Sequence, residues 1–390
     1  MTCMRSIPIG DCVYPVKTWS PSTGADDDEF VYVDLSAIDQ DSKQITNARA
    51  VRAIEAPSRA RQLVEVGDVL VSTVRPKLNG VARVSADYHG ATASTGFCVL
   101  RPDNNKLCCN YLFHWVKTSA FVDDMVAKAT GASYPAVSDR IIVESPIPLP
   151  PLPEQRRIAA ILDQADALRA KRREALAQLD SLTQSIFIEM FGDPVANPMG
   201  WQVVELRSIG TLDRGISKAR PRNAPELLDG PYPLIQTGDV SNCDGYIRKY
   251  ATSYSEAGLR QSKLWPEGTL CITIAANIAK TGILKFSACF PDSVVGYLAP
   301  NVGTVEYVRV WLSFLQKTLE DSAPMSAQKN INLAILRQLE VPLPPQPLQD
   351  RFSSCLKSIE SMKASHRAAL AESNALFASL QHRAFSGQLL

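Results

Sequence analysis

The sequence predicts an α/β protein made of two similar globular domains, each followed by a long helix. Three observations favour this fold class: an internal repeat with an offset near half of the 390 residues, a proline-rich string before each helix, and strand–turn patterns in both halves. Hydrophobic residues make up 45% of the chain and charged residues 21%, so sizeable cores are expected and global disorder is excluded.

The repeat is clearest at the two proline-rich strings. PLPPLPEQRRI begins at Pro148 and PLPPQPLQDRF begins at Pro342, an offset of 194 residues. Proline cannot continue a strand ladder but is tolerated at a helix start, so each string separates a globular domain from a helix. The four predicted segments are two globular domains, residues 1–147 and 195–341, and two helical segments, residues 148–194 and 342–390.

After each proline-rich string, apolar residues recur at steps of three and four, which is typical of an amphipathic or coiled-coil helix. Both stripes are interrupted by a polar residue at the same place, Arg172 and His366. Either apolar stripe alone is explained by an ordinary core helix. Two stripes with the same spacing and the same interruption favour two helices that pack against each other. The residues predicted to pack in this way, or against a partner, are Ile158, Leu162, Leu168, Leu176, Leu179, Ile186, Phe352, Leu356, Ile359, Leu370, Leu376 and Leu380.

The globular domains correspond more weakly. Gly67 and Gly268 each precede a β-branched segment, and Tyr111 is matched by Tyr307 at an offset of 196. Because the offset changes along the sequence, the loops between the shared elements must differ in length. We therefore expect one module in two versions with different specificities.

The protein lacks the sequence signatures of several common catalysts. No dinucleotide-binding fingerprint or Walker loop is present. The string nearest to an amino-methyltransferase tetrad, Asn197-Pro198-Met199-Gly200, lacks its second proline and its aromatic residue. We therefore expect no catalytic residues.

The cysteines and the hydropathy exclude other classes of protein. Nine cysteines form no CxxC pair and only four histidines are present, so neither a zinc module nor a disulfide framework is expected. No apolar run approaches the roughly 20 residues of a membrane span. The expected location is the cytoplasm, without a membrane partner.

Several polar loops carry the residue types that contact DNA phosphates and bases. Arginine and asparagine match base edges bidentately, and lysine meets phosphate as a point charge. The net charge of +1 lacks the basic footprint of an autonomous nucleic-acid binder, and ordinary solvated surface is the alternative for each loop. The candidate DNA-binding residues are Arg75, Lys77, Asn79, Ser133 and Tyr134 in the first half, and Arg214, Lys218, Arg220, Arg222, Asn277, Lys280, Gln328, Lys329 and Asn330 in the second.

The segment from Pro148 to Pro194 resembles the central conserved region of type I restriction–modification specificity subunits, and the C-terminal segment from Pro342 resembles their distal conserved region. The resemblance spans essentially the whole sequence. It implies two target-recognition domains that each read half of a split, asymmetric DNA sequence, and two helices packed as an antiparallel coiled coil. One departure is that Leu348 and Asp350 replace the Glu154 and Arg156 of the first copy.

The resemblance also implies partners. Double-stranded DNA would be bound together with two modification subunits, which carry S-adenosylmethionine and methylate adenine. A restriction subunit using ATP and magnesium could join them, whereas this subunit would hold no cofactor and no metal. Two rival interpretations stay open at this stage: a coiled-coil scaffold whose α/β units bind protein or glycan, and an enzyme fused to its own recognition domains.

Overall fold

A computed structural model describes residues 5–21, 28–275, 278–322 and 331–389, which fold into two compact units. Unit 1 comprises Met1–Ala175 with His366–Leu390, and unit 2 comprises Leu176–Ser365. Each unit therefore contains one predicted globular domain and part of both long helices. The predicted fold class, two similar domains of mixed helix and sheet with long helices, is confirmed.

Unit 1 is built on two four-stranded sheets, ordered β6-β3-β10-β7 and β2-β11-β8-β9 once its strands are numbered in sequence order. The first and last strands, β1 and β12, pair antiparallel, with Ile7 opposite Ile147. The strands are β1 (Ser6–Pro8), β2 (Val13–Tyr14), β3 (Glu29–Val33), β4 (Ile38–Asp39), β5 (Gln44–Ile45), β6 (Arg49–Arg52), β7 (Ala60–Leu63), β8 (Val69–Ser72), β9 (Val81–Arg83), β10 (Thr92–Ser94), β11 (Phe97–Pro102) and β12 (Pro146–Pro148).

Unit 2 repeats this plan with a five-stranded sheet, β14-β22-β19-β20-β16, and a four-stranded sheet, β17-β15-β21-β18. Its outer strands β13 and β23 again pair antiparallel, with Val204 opposite Val341. The strands are β13 (Gln202–Glu205), β14 (Thr211–Arg214), β15 (Leu228–Leu234), β16 (Tyr246–Ile247), β17 (Thr252–Tyr254), β18 (Leu264–Trp265), β19 (Leu270–Thr273), β20 (Thr281–Leu284), β21 (Ala288–Cys289), β22 (Val294–Leu298) and β23 (Glu340–Leu343).

Most helices of unit 1 come late in its domain, whereas unit 2 also has two short helices between its strands. The α-helices are α1 (Cys109–Trp115), α2 (Ser119–Lys128), α3 (Asp139–Glu144), α4 (Leu152–Phe191), α5 (Thr237–Ser241), α6 (Glu256–Arg260), α7 (Val302–Ser322), α8 (Leu333–Arg337) and α9 (Gln346–Phe385). Each long helix has 40 residues and begins within its proline-rich string, as predicted. At 1.5 Å per residue, each is about 60 Å long.

Within each unit, the two long helices run antiparallel. In unit 1, Arg157 near the start of α4 bonds to the main-chain oxygen of Leu389, and Arg169 bonds to Asn374. In unit 2, Asp180 pairs with Lys363, while the ring of Phe191 at the end of α4 lies 5.2 Å from that of Phe352. As residue numbers rise along α4, the residues that it contacts in the C-terminal segment have falling numbers, so the two helices point in opposite directions.

Most of the predicted helix-packing residues are in fact shared with the domain cores. Ile158, Leu162 and Leu380 pack in the core of unit 1 around Tyr111. In unit 2, the core around Tyr307 takes up the residues Leu179, Ile186, Phe352, Leu356 and Ile359. Leu176 and Leu370 are half-buried.

As helix–helix contacts, Leu168 and Leu376 were wrongly predicted. They are 60% and 56% exposed, whereas the next residue on each helix, Arg169 or Phe377, turns inward. In an amphipathic helix the next inward-facing residue can come three or four positions later. The spacing alone therefore did not determine which of the two neighbouring residues on each helix faces inward. The Arg169 guanidinium lies 4.3 Å from the centre of the Phe377 ring, so on both helices the inward-facing residue comes four positions after the previous one.

Candidate nucleic-acid interface

In unit 1, the loop after strand β8 carries the first group of predicted site residues. Arg75 and Asn79 flank a short 3-10 turn, Pro76–Leu78, and both adopt positive φ angles of 49° and 47°. Left-handed backbone at non-glycine residues is uncommon and is held only by surrounding contacts. Arg75 and Lys77 are exposed, and Asn79 is half-buried.

A second loop, residues 130–136, lies directly beside the first. The main-chain N–H of Arg75 donates to the oxygen of Pro135 over 2.7 Å, and the guanidinium carbon of Arg75 lies 4.7 Å from the ring centre of Tyr134. The Tyr134 side chain is 68% exposed, and Ser133 is also exposed. The structure therefore brings together the two loops that the sequence singled out separately.

Gly131 makes the second loop possible. Its φ angle is +102°, and a Cβ added there would lie 3.0 Å from the main-chain oxygen of Tyr134. Thr130 and Ala136 close the loop by exchanging two main-chain hydrogen bonds of 2.9 Å. This short closure holds Tyr134 at the exposed tip.

Sequence reasoning missed two cations at the same end of unit 1. Lys43 donates from Nζ to the main-chain oxygen of Asn79 over 2.6 Å, and burial lowers its pKa, with the nearby Lys117 charge lowering it further. Arg59 is exposed. Its main-chain oxygen accepts a hydrogen bond from the N–H of Thr95, and the oxygen of the next residue, Gly96, accepts one from Thr73 just after β8. Both come from segments distant in sequence and belong to no recognisable motif, so no sequence signal would have found them.

In unit 2, the sheet register gathers the corresponding loops at one end of the five-stranded sheet. Arg214 ends β14 opposite Val295 of β22, and Val295 pairs on its other side with Ile272 of β19. Strands β14 and β19 therefore run in the same direction, and the loops that follow them leave the sheet at the same end. Arg214 and Lys218 are exposed there.

Asp292 organises the basic loop of unit 2. Arg222 approaches its Oδ1 within 2.5 Å, and Arg220 approaches Oδ2 within 3.9 Å. Arg220 also donates to the main-chain oxygen of Ser217 over 2.7 Å. Two predicted DNA-binding arginines are thus tethered to one carboxylate, while their side chains remain about half exposed.

Lys280 is half-buried at the end of its loop, where its main-chain N–H donates to the Thr273 hydroxyl over 3.0 Å. Four further predicted residues lie outside the described part of the protein: Asn277, Gln328, Lys329 and Asn330. The residue after the last of them, Ile331, donates to the Ile274 oxygen over 3.0 Å. The equivalent bond in unit 1 joins Val137 to Thr73 over 2.9 Å.

Both units thus place a polar loop at the end of a central strand, β8 or β19. In unit 1, a second loop returns beside the first before the short helix α3, and in unit 2 Ile331, which precedes the short helix α8, makes the equivalent bond to Ile274. The exposed side chains at this end include arginines, lysines and one tyrosine, which suit phosphate contact and base stacking. The loop cluster of each unit is therefore a candidate nucleic-acid interface.

Helix α1 and the residue Lys117 just after it are joined to the long helix α4 by charged pairs within unit 1. Buried His114 lies 2.7 Å from Asp163, and buried Lys117 lies 2.8 Å from Asp166. Burial lowers the pKa of His114, although the Asp163 carboxylate opposes the shift. Burial raises the pKa of Asp163, but the hydrogen bonds from His114 and Asn110 and the nearby positive charge together outweigh that effect and leave the pKa below its usual value.

The fold and the loop clusters define a two-module binding protein carried on long helices. A family model described as the type I restriction modification DNA specificity domain matches residues 62–178 and 198–372. The protein therefore belongs to the family of type I restriction–modification specificity subunits, as the sequence resemblance indicated.

Individual relatives agree in name but are distant. The sequence is 23% identical over 342 residues to a putative type I restriction enzyme MjaX specificity subunit of Methanocaldococcus jannaschii, covering 83% of this protein and 78% of the relative. It is 31% identical over 131 residues to the Escherichia coli EcoDI specificity subunit, covering 32% of this protein and 28% of that one.

Solved structures share the fold over the whole length. A structure from work on complex assembly and conformational transition of the type I R-M system aligns with a TM-score of 0.59 at 26% identity, covering 100% of this protein and 99% of the other. The S subunit from M. genitalium aligns with a TM-score of 0.56 at 14% identity, covering 99% and 97%. Within the described ranges, none of the helices is both long and apolar enough to span a bilayer.

Proposed function

We propose that this protein is the non-catalytic DNA-reading subunit of a type I restriction–modification complex, in which each unit reads one half of a bipartite, asymmetric target. The observation that carries the proposal is that polar loops lie at the end of the central strand in both units, after β8 in unit 1 and after β14 and β19 in unit 2. Although the scaffold is repeated, the residues differ: Arg75 and Tyr134 in one cluster, Arg214 and the Asp292-tethered arginines in the other. Arg75 follows β8 and the unit 2 arginines follow β14, so the two units would present different side chains from different loops and read different bases.

The near-neutral net charge of the protein also favours DNA binding that is shared with partner subunits. Lysine and arginine residues that neutralise phosphates supply most of the salt-dependent affinity of a DNA-binding protein. With a net charge of +1, this subunit would bind DNA weakly by itself, and partner subunits would contribute the remaining phosphate contacts.

Two equivalent apolar patches on the long helices support docking of two modification subunits. In unit 1, Leu168 and Leu376 are 60% and 56% exposed, next to the hydrogen-bonded pair of Arg169 and Asn374. In unit 2, the residues at the repeat-equivalent positions, Leu182 and Met362, are 39% and 44% exposed. Exposed apolar patches of this kind mark interaction sites, and one patch in each unit would accept one copy of the same partner.

The same proposal assigns the chemistry to the partners. The modification subunits would bind S-adenosylmethionine and methylate adenine, and any restriction subunit would use ATP and magnesium, in the cytoplasm. A protein with this role needs no cofactor of its own, because it only positions the target sequence.

Methylome sequencing tests the proposal directly. In cells that express this protein with its modification subunit, the methylated motif should consist of two specified halves separated by a fixed unspecified gap. Replacing residues 5–147 with the corresponding domain of another family member should change one half and preserve the other. Replacing residues 202–343 is the matched experiment and should change only the second half. A swap that altered both halves, or neither, would contradict the proposal.

A further inference from the structure

Unit 2 contains a cleft of about 1060 Å³ at the junction of its outer strands and the start of α9. Its lining includes Trp201, Ser208, Ala299, Asn301 and Pro344. Gln349 also lines the cleft, and because this residue is only 2% exposed it lies at the bottom. The cleft lies outside the loop cluster that we propose reads DNA.

The corresponding glutamine of unit 1, Gln155, is fully engaged by its own unit. Its Oε1 accepts from the main-chain N–H of Cys108 over 2.8 Å, and its Nε2 donates to the main-chain oxygen of Lys106 over 2.9 Å. Nε2 also donates to the oxygen of Pro150 over 2.8 Å. A segment of unit 1 thus presents both a main-chain N–H and a carbonyl oxygen to one carboxamide.

In unit 2 only part of this arrangement is present. Gln349 Nε2 donates to the oxygen of Pro344 over 2.7 Å, which matches the bond from Gln155 to Pro150. Its Oε1 is buried and finds no donor within the described ranges of the protein. A buried acceptor without a donor is uncommon in native proteins and requires an explanation.

The difference has a structural cause in the connection between the central sheet and the following helix. In unit 1, six residues, 103–108, join β11 to α1, and they bond to Cys12 as well as to Gln155. In unit 2, only three residues, 299–301, join β22 to α7, because that helix begins earlier. The equivalent residues of unit 2, 299–304, thus run into the first turn of α7 and line the cleft instead of bonding to the glutamine side chain.

We propose that this cleft binds a short non-helical segment of the modification subunit, which supplies in trans the main-chain amide that unit 1 supplies in cis. This inference rests on the proposed function for the identity of the partner. The apolar walls contributed by Trp201 and Pro344 suit an extended segment, and Gln349 would fix its register through a main-chain N–H. In unit 1 the equivalent glutamine is already bonded by its own main chain, so the partner segment would bind only in unit 2. This contact would therefore distinguish two otherwise equivalent docking positions.

The first experiment uses a peptide copied from unit 1 itself. Residues 102–107 are synthesised with an acetylated N-terminus and a C-terminal carboxamide, whose N–H replaces that of Cys108. Calorimetric titration into the full-length protein, without DNA or partner, should show saturable binding with one site per molecule. Absence of saturable binding at millimolar peptide would overturn the proposal.

Variants locate the site. Ser208→Trp places bulk in the cleft and Gln349→Met removes its carboxamide, and each should weaken the peptide at least tenfold. Asp11→Trp adds the same bulk at the corresponding position of unit 1 and should leave the affinity unchanged. If Gln349→Met fails to fold, Ser208→Trp still decides the location, and unaltered affinity in that variant would overturn it.

The last experiment identifies the partner. Purified modification subunit should compete with the peptide for the wild-type protein, and Ser208→Trp should weaken assembly at one of two positions, which native mass spectrometry would detect as accumulation of the one-to-one complex. Peptide binding that the modification subunit does not reduce would overturn the assignment of the segment to that subunit. Neither result depends on bipartite methylation, so failure here and failure of the DNA-reading proposal are distinguishable.

Discussion

The guanidinium of Arg169 on α4 donates from Nε to Oδ1 of Asn374 on α9 over 2.7 Å. The repeat-equivalent residues in unit 2 are Lys363 and Asp180, which form a salt bridge of 2.5 Å. Both units therefore join their two helices at the same place by a cation on one helix and an oxygen on the other. In unit 1 the cation also stacks on Phe377, for which the equivalent residue in unit 2 is Thr183.

Arg169→Ala should destabilise unit 1. The change removes the bond to Asn374 and the stacking on Phe377, and it leaves Asp166 with Lys117 alone. We expect a loss of about 1–2 kcal/mol in the free energy of unfolding, from one hydrogen bond and one cation–π contact. Urea denaturation measures it. Lys171→Ala is the matched control, because Lys171 is an exposed cation on the same helix, and an equal loss in both variants would show that the Asn374 and Phe377 contacts do not stabilise unit 1.

Removing the hydroxyl of Tyr111 or Tyr307 should weaken the junction between a domain and its proline-rich string. Tyr111 donates to the Pro148 oxygen over 2.8 Å, and Tyr307 donates equivalently to Pro342. Each tyrosine is buried, so phenylalanine would leave a buried carbonyl without a donor, at a cost of about 1–3 kcal/mol. Thermal unfolding of each variant would measure this, with the half-exposed Tyr250→Phe as control. Two unchanged melting temperatures would contradict the expectation.

Lowering the pH should destabilise unit 1 through His114. Burial lowers the pKa of His114 in the folded protein below 6.5, so the unfolded protein takes up a proton first as the pH falls. The associated stability is present above pH 6.5 and decreases as the pH falls from there through the folded pKa. Melting temperatures between pH 8 and pH 5 test this prediction. His114→Gln cannot titrate, so its curve should be flatter in this range; identical slopes for the two proteins would contradict the assignment.

Arg75→Ala should weaken DNA binding by the assembled complex, whereas the fold should be preserved because the side chain is exposed. If Arg75 reads a base, the loss should be about 1–3 kcal/mol and discrimination at one position should relax. If it contacts phosphate, the affinity should fall for all sequences and the salt dependence should become shallower. Fluorescence anisotropy with matched and mismatched duplexes separates these outcomes. Arg140→Ala, an exposed arginine on α3, is the control and should leave affinity unchanged.

Lengthening both long helices should lengthen the gap in the methylated motif. Four residues inserted after Ala175 and four after Ser365 fall at the boundaries of the two units, so each unit keeps its contacts. Four helical residues add about 6 Å, which corresponds to about two base pairs at 3.4 Å per step. Methylome sequencing should show both halves unchanged and a longer gap. A variant that methylates with the original gap would show that the helices do not set it.

The repeat, the two long helices and the places of the polar loops along the sequence could all be recognised from the sequence alone. Strings such as PLPPLPEQ indicate a helix start through proline chemistry, and β-branched runs after Gly67 and Gly268 indicate strands. Both glycines indeed have positive φ angles and donate to equivalent strand partners, Val84 and Leu284. These features are local, so they can be read from neighbouring residues.

The contacts between residues far apart in sequence became known only from the folded structure. It placed Arg169 rather than Leu168 against the second helix, because Phe377 approaches from the C-terminal segment. It brought Lys43 to Asn79 and left Gln349 without the donor that Gln155 receives from Cys108. Such contacts depend on loop lengths and on sheet register, and neither is encoded in the spacing of residues along one segment. The sequence thus predicted the modules, and the packing of distant segments established how each module is completed.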